Sequence, residues 1–231
     1  MILTPDNEYC VVPDACVLMP MPLCDTLLRS AEEPSFFRMA WSESILTEVR
    51  RGLEGPKFGY SIEQVDRRIR AMNAAFPEAL ITFPLDLADS ISGLPDPDDR
   101  HVVALAIHAQ AHTIVTDNVR DFPVESLSRH NLTVNTADEF LVHQYHLNPQ
   151  IMLEKLDRQA AGIRRQRAEI LQLLQNSAPA FCKLCANPRQ ISPEIHRDRA
   201  PACRSASIRL VRMSLMRVRW PWPLARSQSS T

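Results

Sequence analysis

Glycine is scarce, at five in 231 residues. No glycine-rich loop that could cradle phosphates is present, and no nucleophilic serine motif, which sets aside two common routes to catalysis. Long apolar runs are missing as well: nothing approaches the roughly 18 residues a membrane span needs. The opening segment, MILTPDNEYC, has no basic stretch leading into an apolar one. Neither a span nor an export signal is therefore expected, and the expected location is the cytoplasm. In that setting the six cysteines, at 10, 16, 24, 182, 185 and 203, are expected to be reduced. Cys10, Cys16 and Cys24 lie in or near apolar segments and read as small core residues.

The net charge of −1 conceals an uneven distribution. Residues 1–150 carry 11 Lys/Arg against 22 Asp/Glu, whereas residues 189–231 carry 9 against 2. An acidic body does not suit passive phosphate binding, which favours Lys and Arg. It does suit a site that gathers carboxylates around a divalent cation.

The chain is organised around PDPDDRHVVALAIHAQAHTIVTDNVRDFP, Pro95–Pro123. Acids, an apolar-periodic helix, a β-branched run and further acids follow one another within about one αβ unit, and a parallel sheet collects functional groups at the C-terminal ends of its strands. Before it, Tyr9–Leu18 reads as a buried strand broken by Pro13-Asp14, with Asp14 at its C-terminal end. Helical spacing marks three segments: one with Leu23, Leu27 and Leu28, one with Ile45, Leu46, Val49 and Leu53 capped at Ser42 or Ser44, and one with Ile62, Val65, Ile69, Met72 and Phe76 inside. Ala79–Phe83 reads as a strand and residues 84–98 as a polar linker. His112–Thr116 reads as a buried strand and Leu132–Val134 as a last short one. Thr136 opens a helix with Glu139 in capping-box position. Asn148-Pro149 starts a helix running to about Leu174, and Ala178–Ala186 forms one more. This order predicts an α/β fold, an α/β/α sandwich with a mostly parallel central sheet. Three divisions follow: a body over 1–146, a C-terminal helical extension over 147–188, and a basic, disordered tail over 189–231. The runner-up for the tail is an arm for nucleic acid or a membrane surface.

Acids fall at element ends or first turns: Asp14 after the first strand, Glu48 on an early helix, Asp99 at the start of the central helix, and Asp117 or Asp121 after the third strand. Taken singly, Asp99 reads as an N-cap, Glu48 as a solvated helix position and Asp121 as a turn residue. Asp14 is different, because a carboxylate beside a buried apolar run needs a reason. Gathered carboxylates repel one another and raise each other's pKa. A divalent cation relieves this, and hard oxygen ligands select Mg2+ or Mn2+.

VVPDACVL, WSESILTEVRRGL, PDPDDRHVVALAI and IVTDNVRDFP together resemble the successive motifs of the PIN domain, and more narrowly the toxin components related to the VapC ribonucleases. The likeness runs from about Tyr9 to Phe140 and continues more weakly to about Ala186. It implies a Mg2+- or Mn2+-dependent endoribonuclease, an RNA substrate, a cognate antitoxin partner and a homodimer. Matched position by position, Asp14, Glu48 and Asp99 are the first three acids. For the fourth, Asn118 occupies the T-x-D/N position and Asp121 the Asp-Phe step, while Asp117 is an additional acid and alternative ligand. Thr116 is expected to hold a carboxylate or a metal-bound water. Pro13 departs from the pattern, where an ordinary apolar residue is usual.

Rival readings are a catalytically inactive PIN-like protein that binds RNA or a partner, and a phosphohydrolase with an aspartate nucleophile. The latter usually wants a second acid two residues on, which Asp14-Ala15-Cys16 lacks. Cys182, Cys185, His196 and Cys203 have the residue types of a zinc site, but a helix face explains the first pair more simply. His101 and His108 share a helix face that reads as solvated or partly buried. Arg50 and Arg51 read as a solvated helix end before they read as phosphate ligands, and Trp41 reads as core.

Overall fold

A computed structural model describes residues 9–187. Four short strands form one sheet: β1 (Cys10–Pro13), β2 (Arg38–Met39), β3 (Thr113–Val115) and β4 (Thr133–Asn135). Their order is β2-β1-β3-β4, and every pairing is parallel. Helices flank the sheet: α1 (Ala15–Leu18), α2 (Met21–Ala31), α3 (Glu43–Glu54), α4 (Ile62–Ala75), α5 (Leu85–Ser90), α6 (Arg100–His108), α7 (Val124–Ser128), α8 (Ala137–Leu147), α9 (Pro149–Gly162), α10 (Arg167–Leu174) and α11 (Pro179–Ala186). Short 3-10 turns at Pro97–Asp99 and Val119–Asp121 precede α6 and α7. This is the α/β/α sandwich with a parallel sheet that the order of elements predicts. No helix among the described residues is long and apolar enough to cross a membrane.

The two central strands, β1 and β3, are buried along their whole length, whereas the edge strands β2 and β4 are partly exposed. Val11, Val12, Ile114 and Val115 are all at most 1% exposed. Near-continuous apolar character is what a parallel strand covered on both faces requires. Gly52 lets α3 approach α1 closely, since a Cβ there would collide with Met19 Sδ. Arg68 on α4 donates to the Leu18 and Met19 carbonyl oxygens at the end of α1. The first helix after β1 is thus braced by both α3 and α4.

Several expectations are corrected. The first strand stops at Pro13, and residues 15–18 turn into a helix with Asp14 as its N-cap. Proline ends the ladder and the Asp14 side chain accepts the Ala15 N–H, so helix replaces strand. Residues 79–83 make no strand, only one parallel bridge between Leu80 and Trp41. The strand beside β1 is instead Arg38–Met39, whose two residues are too few to show a periodicity. The segment expected as a linker contains α5. The single helix expected over 149–174 is two, because the chain reverses after Gly162 through Arg164 at φ 57°. A capping box of Gln166 and Glu169 then starts α10. Ile62, in the first turn of α4, is 61% exposed rather than inside.

The C-terminal helices lie against the body: α9 on α2, and α11 on α8. Lys155 of α9 donates to the Arg29 and Glu32 carbonyl oxygens at the end of α2, each at 2.7 Å. Asp138 of α8 accepts the Ala180 and Phe181 N–H groups and so caps α11 from outside. The tail expected over 189–231, including His196 and Cys203, lies outside the described residues.

Candidate active site

The parallel sheet sends β1 and β3 out side by side, so the residues that follow them meet. The Asp14 N–H donates to the Val115 carbonyl at 2.9 Å, extending the ladder one step past both strands. The Asp14 side chain, 5% exposed, is held by three donors. Oδ1 accepts the Ala15 N–H at 2.6 Å, and Oδ2 accepts the Thr116 hydroxyl at 2.7 Å and the Cys16 thiol at 3.1 Å. Such bonds fix the plane of the carboxylate.

Thr116 is fully buried directly after β3. Its hydroxyl oxygen also accepts the Asn118 N–H at 3.0 Å, which sets the turn leading to Asp121. That turn puts Asp121, half-buried, at the end of the 3-10 segment, with Asn118 exposed at its start.

Asp99 stands at the N-cap position of α6 but makes no capping bond with its side chain. Asp96 takes that role one turn earlier, accepting the Asp98 N–H at 2.9 Å. The reading of Asp99 as a simple cap is therefore corrected, and its carboxylate is not engaged in closing the helix. Burial pushes its carboxyl up to about 7, reinforced by the charges of Asp14, Asp121, Asp96 and Glu48. Four elements that are distant in sequence thus deliver charge to one region: the end of β1, α3, the start of α6 and the turn after β3.

Glu48, half-exposed on α3, meets His101 of α6, with Oε1 2.7 Å from Nε2. Asp117 is turned to another task, as its Oδ1 accepts the Ala137 N–H at the start of α8, at 3.3 Å. It is not among the charges that raise Asp99. Arg50 is engaged away from Glu48, by Asp66 and by Glu54.

Two residues were not singled out for the site by sequence. Cys16 lines it rather than sitting in the core, with the Asp117 N–H donating to its sulfur at 3.3 Å. Burial, then the Asp14 charge, pushes its thiol up to about 12, so it stays protonated. Its place two residues after Asp14, at the start of a one-turn helix, was the available signal. His101 follows Asp99 by two residues, and only the docking of α3 against α6 shows its partner.

Among the described residues, no group of three or more His, Cys, Asp and Glu side chains is arranged to hold a metal ion. The chemistry of the acids nevertheless fits one. All are hard oxygen donors, and the charges of Asp14, Asp121, Asp96 and Glu48 add to burial in raising the Asp99 carboxyl, a repulsion that a divalent cation would relieve.

Residues 10–120 match the family model described as PIN domain. The match spans Asp14, Glu48, Asp99, Thr116, Asp117 and Asn118, and it ends one residue before Asp121. It supports a nuclease-type hydrolase. No curated protein and no solved structure matches the chain.

Proposed function

We propose that this chain is a metal-dependent endoribonuclease hydrolysing RNA phosphodiester bonds, and the toxin of a type II toxin–antitoxin pair. The observation that carries the enzymatic reading is the meeting of the ends of β1 and β3, where Asp14 accepts the Thr116 hydroxyl at 2.7 Å and the charges of Asp14, Asp121, Asp96 and Glu48 all bear on the Asp99 carboxyl. A divalent cation would relieve the repulsion among these acids. The ligands are Asp14, Glu48, Asp99 and Asp121, and the ion is Mg2+ or Mn2+. When bound, the ion supplies positive charge to a phosphodiester and activates water for in-line attack.

The chain's own residues prepare that chemistry. The Ala15 N–H, Thr116 and Cys16 hold Asp14 in one orientation. Thr116 also fixes the turn that carries Asn118 and Asp121. Asn118, exposed at the turn, offers an amide to the RNA. Asp117 is left to the start of α8. Catalysis is assigned to the body, residues 1–146, with a separate extension over 147–188 whose helices α9 and α11 pack on α2 and α8.

The toxin role, the antitoxin, a homodimer and a cytoplasmic location rest on the resemblance of the four motifs to VapC-related ribonucleases. Purified full-length chain incubated with RNA should cleave in Mg2+ or Mn2+ and stop in EDTA. Equal cleavage by wild type and Asp14→Asn sinks the reading. Growth arrest on expression, relieved by a co-expressed antitoxin, tests the toxin role separately.

A further inference from the structure

The acids of the pocket differ in how they are held. Asp14 is clamped by a backbone N–H and two side chains next to the sheet. Glu48 is a longer side chain on a helix face, 38% exposed, and pure helix geometry does not fix its carboxylate. The cation nearest in sequence, Arg50, is committed to Asp66 and Glu54. What holds Glu48 is His101, 53 residues on, at 2.7 Å.

An ionised carboxylate accepts hydrogen bonds and donates none, so the ring donates from Nε2. The bond takes Oε1 and leaves Oε2 without a hydrogen bond among the described residues. His101 Nδ1 is buried with no hydrogen-bond partner there, so the ring is directed through one nitrogen at one oxygen. His101 itself is anchored on α6 two residues after Asp99, and its side chain is 16% exposed. The same helix start therefore carries one acid of the pocket and the group that orients another.

We propose that His101 is a positioning residue that fixes the Glu48 carboxylate for the divalent cation. The proposal rests on the metal-dependent reading above. Partners of this kind behind metal-binding side chains typically change metal affinity 10- to 100-fold when removed.

The test is calorimetric titration of Mn2+ into metal-free, full-length protein, with circular dichroism and thermal unfolding run on each variant. His101→Leu should bind Mn2+ about 10- to 100-fold more weakly while keeping the wild-type spectrum and unfolding midpoint. His101→Gln, whose amide N–H reaches about as far as the imidazole Nε2, should stay close to wild type. In a Glu48→Ala background, His101→Leu should cause no further loss, because the two residues act as one unit. His101→Ala replaces the leucine variant if leucine disturbs α6. Three results overturn the proposal while leaving the metal site standing: wild-type affinity in His101→Leu, equal weakening by glutamine and leucine, or undiminished loss in the Glu48→Ala background. Absence of Mn2+ binding by wild type overturns this proposal together with the metal-dependent reading.

Discussion

Thr116 donates its hydroxyl to Asp14 Oδ2 at 2.7 Å, joining two positions 102 residues apart at the ends of neighbouring parallel strands. Thr116→Val keeps the shape and removes the donor, and it also leaves the Asn118 N–H without its acceptor. The expected cost is about 1–3 kcal/mol in urea unfolding. RNA cleavage should fall about 10- to 100-fold, as for loss of a group that orients a metal ligand. Thr116→Ser, which keeps the hydroxyl, should retain most of both.

Asp99 makes the metal-free protein sensitive to pH. Its folded carboxyl titrates near 7 against an ordinary value of 3.8. Folding therefore takes up a proton between those values, and stability is lost as pH rises through that window. Asp25, pushed up to about 6 by burial although Arg29 opposes it, acts in the same direction. The difference between wild type and Asp99→Asn isolates the pocket. The unfolding midpoint of wild type should fall more steeply from pH 5 to pH 8 than that of Asp99→Asn. Added Mn2+ should raise the wild-type midpoint more at pH 8 than at pH 5.

The two acids after β3 should separate cleanly. Asp117 accepts a backbone N–H at the start of α8, a role that an asparagine oxygen can fill. Asp121 contributes to the charge that raises Asp99. Asp117→Asn should therefore cleave RNA close to the wild-type rate, while Asp121→Asn should lose Mn2+ affinity and cleavage together. Calorimetry and a cleavage assay on both variants decide this, and loss of Mn2+ binding in Asp117→Asn alone would reverse the assignment.

Lys155 predicts a stability effect remote from the chemistry. Burial, then the Arg158 charge, pulls its amine down to about 8. It nevertheless donates to two carbonyl oxygens at the end of α2. Lys155→Met fills the space but leaves those carbonyls unpaired, for an expected loss of about 2–3 kcal/mol in urea unfolding. Mn2+ affinity at 25 °C should be unchanged.

The fold was legible where periodicity was long and caps were explicit. Ser42, one of the two serines the sequence offers, and Thr136 cap their helices. Parallel order followed from the alternation of elements. The two-residue β2 and the reversal at Arg164 were hidden because both depend on what lies beside them in space. In the candidate site, the acids could be named because each falls at an element end. Which of them bear on Asp99 could not be read, nor could the tie of Asp117 to Ala137, since these depend on the direction of side chains after a turn. The Glu48–His101 bond spans two helices with no shared local pattern.

The place of β1 inside the sheet has a consequence during synthesis. The strand made before the other three has to wait for residues 113–115 before its second edge is covered, although its other neighbour arrives at residues 38–39. Until then the Asp14 N–H has no Val115 carbonyl, and its carboxylate has no Thr116 hydroxyl. Non-local parallel pairing of this kind forms late and slowly. A ribosome partway through the message thus holds a chain with its first acid in hand and no pocket to put it in.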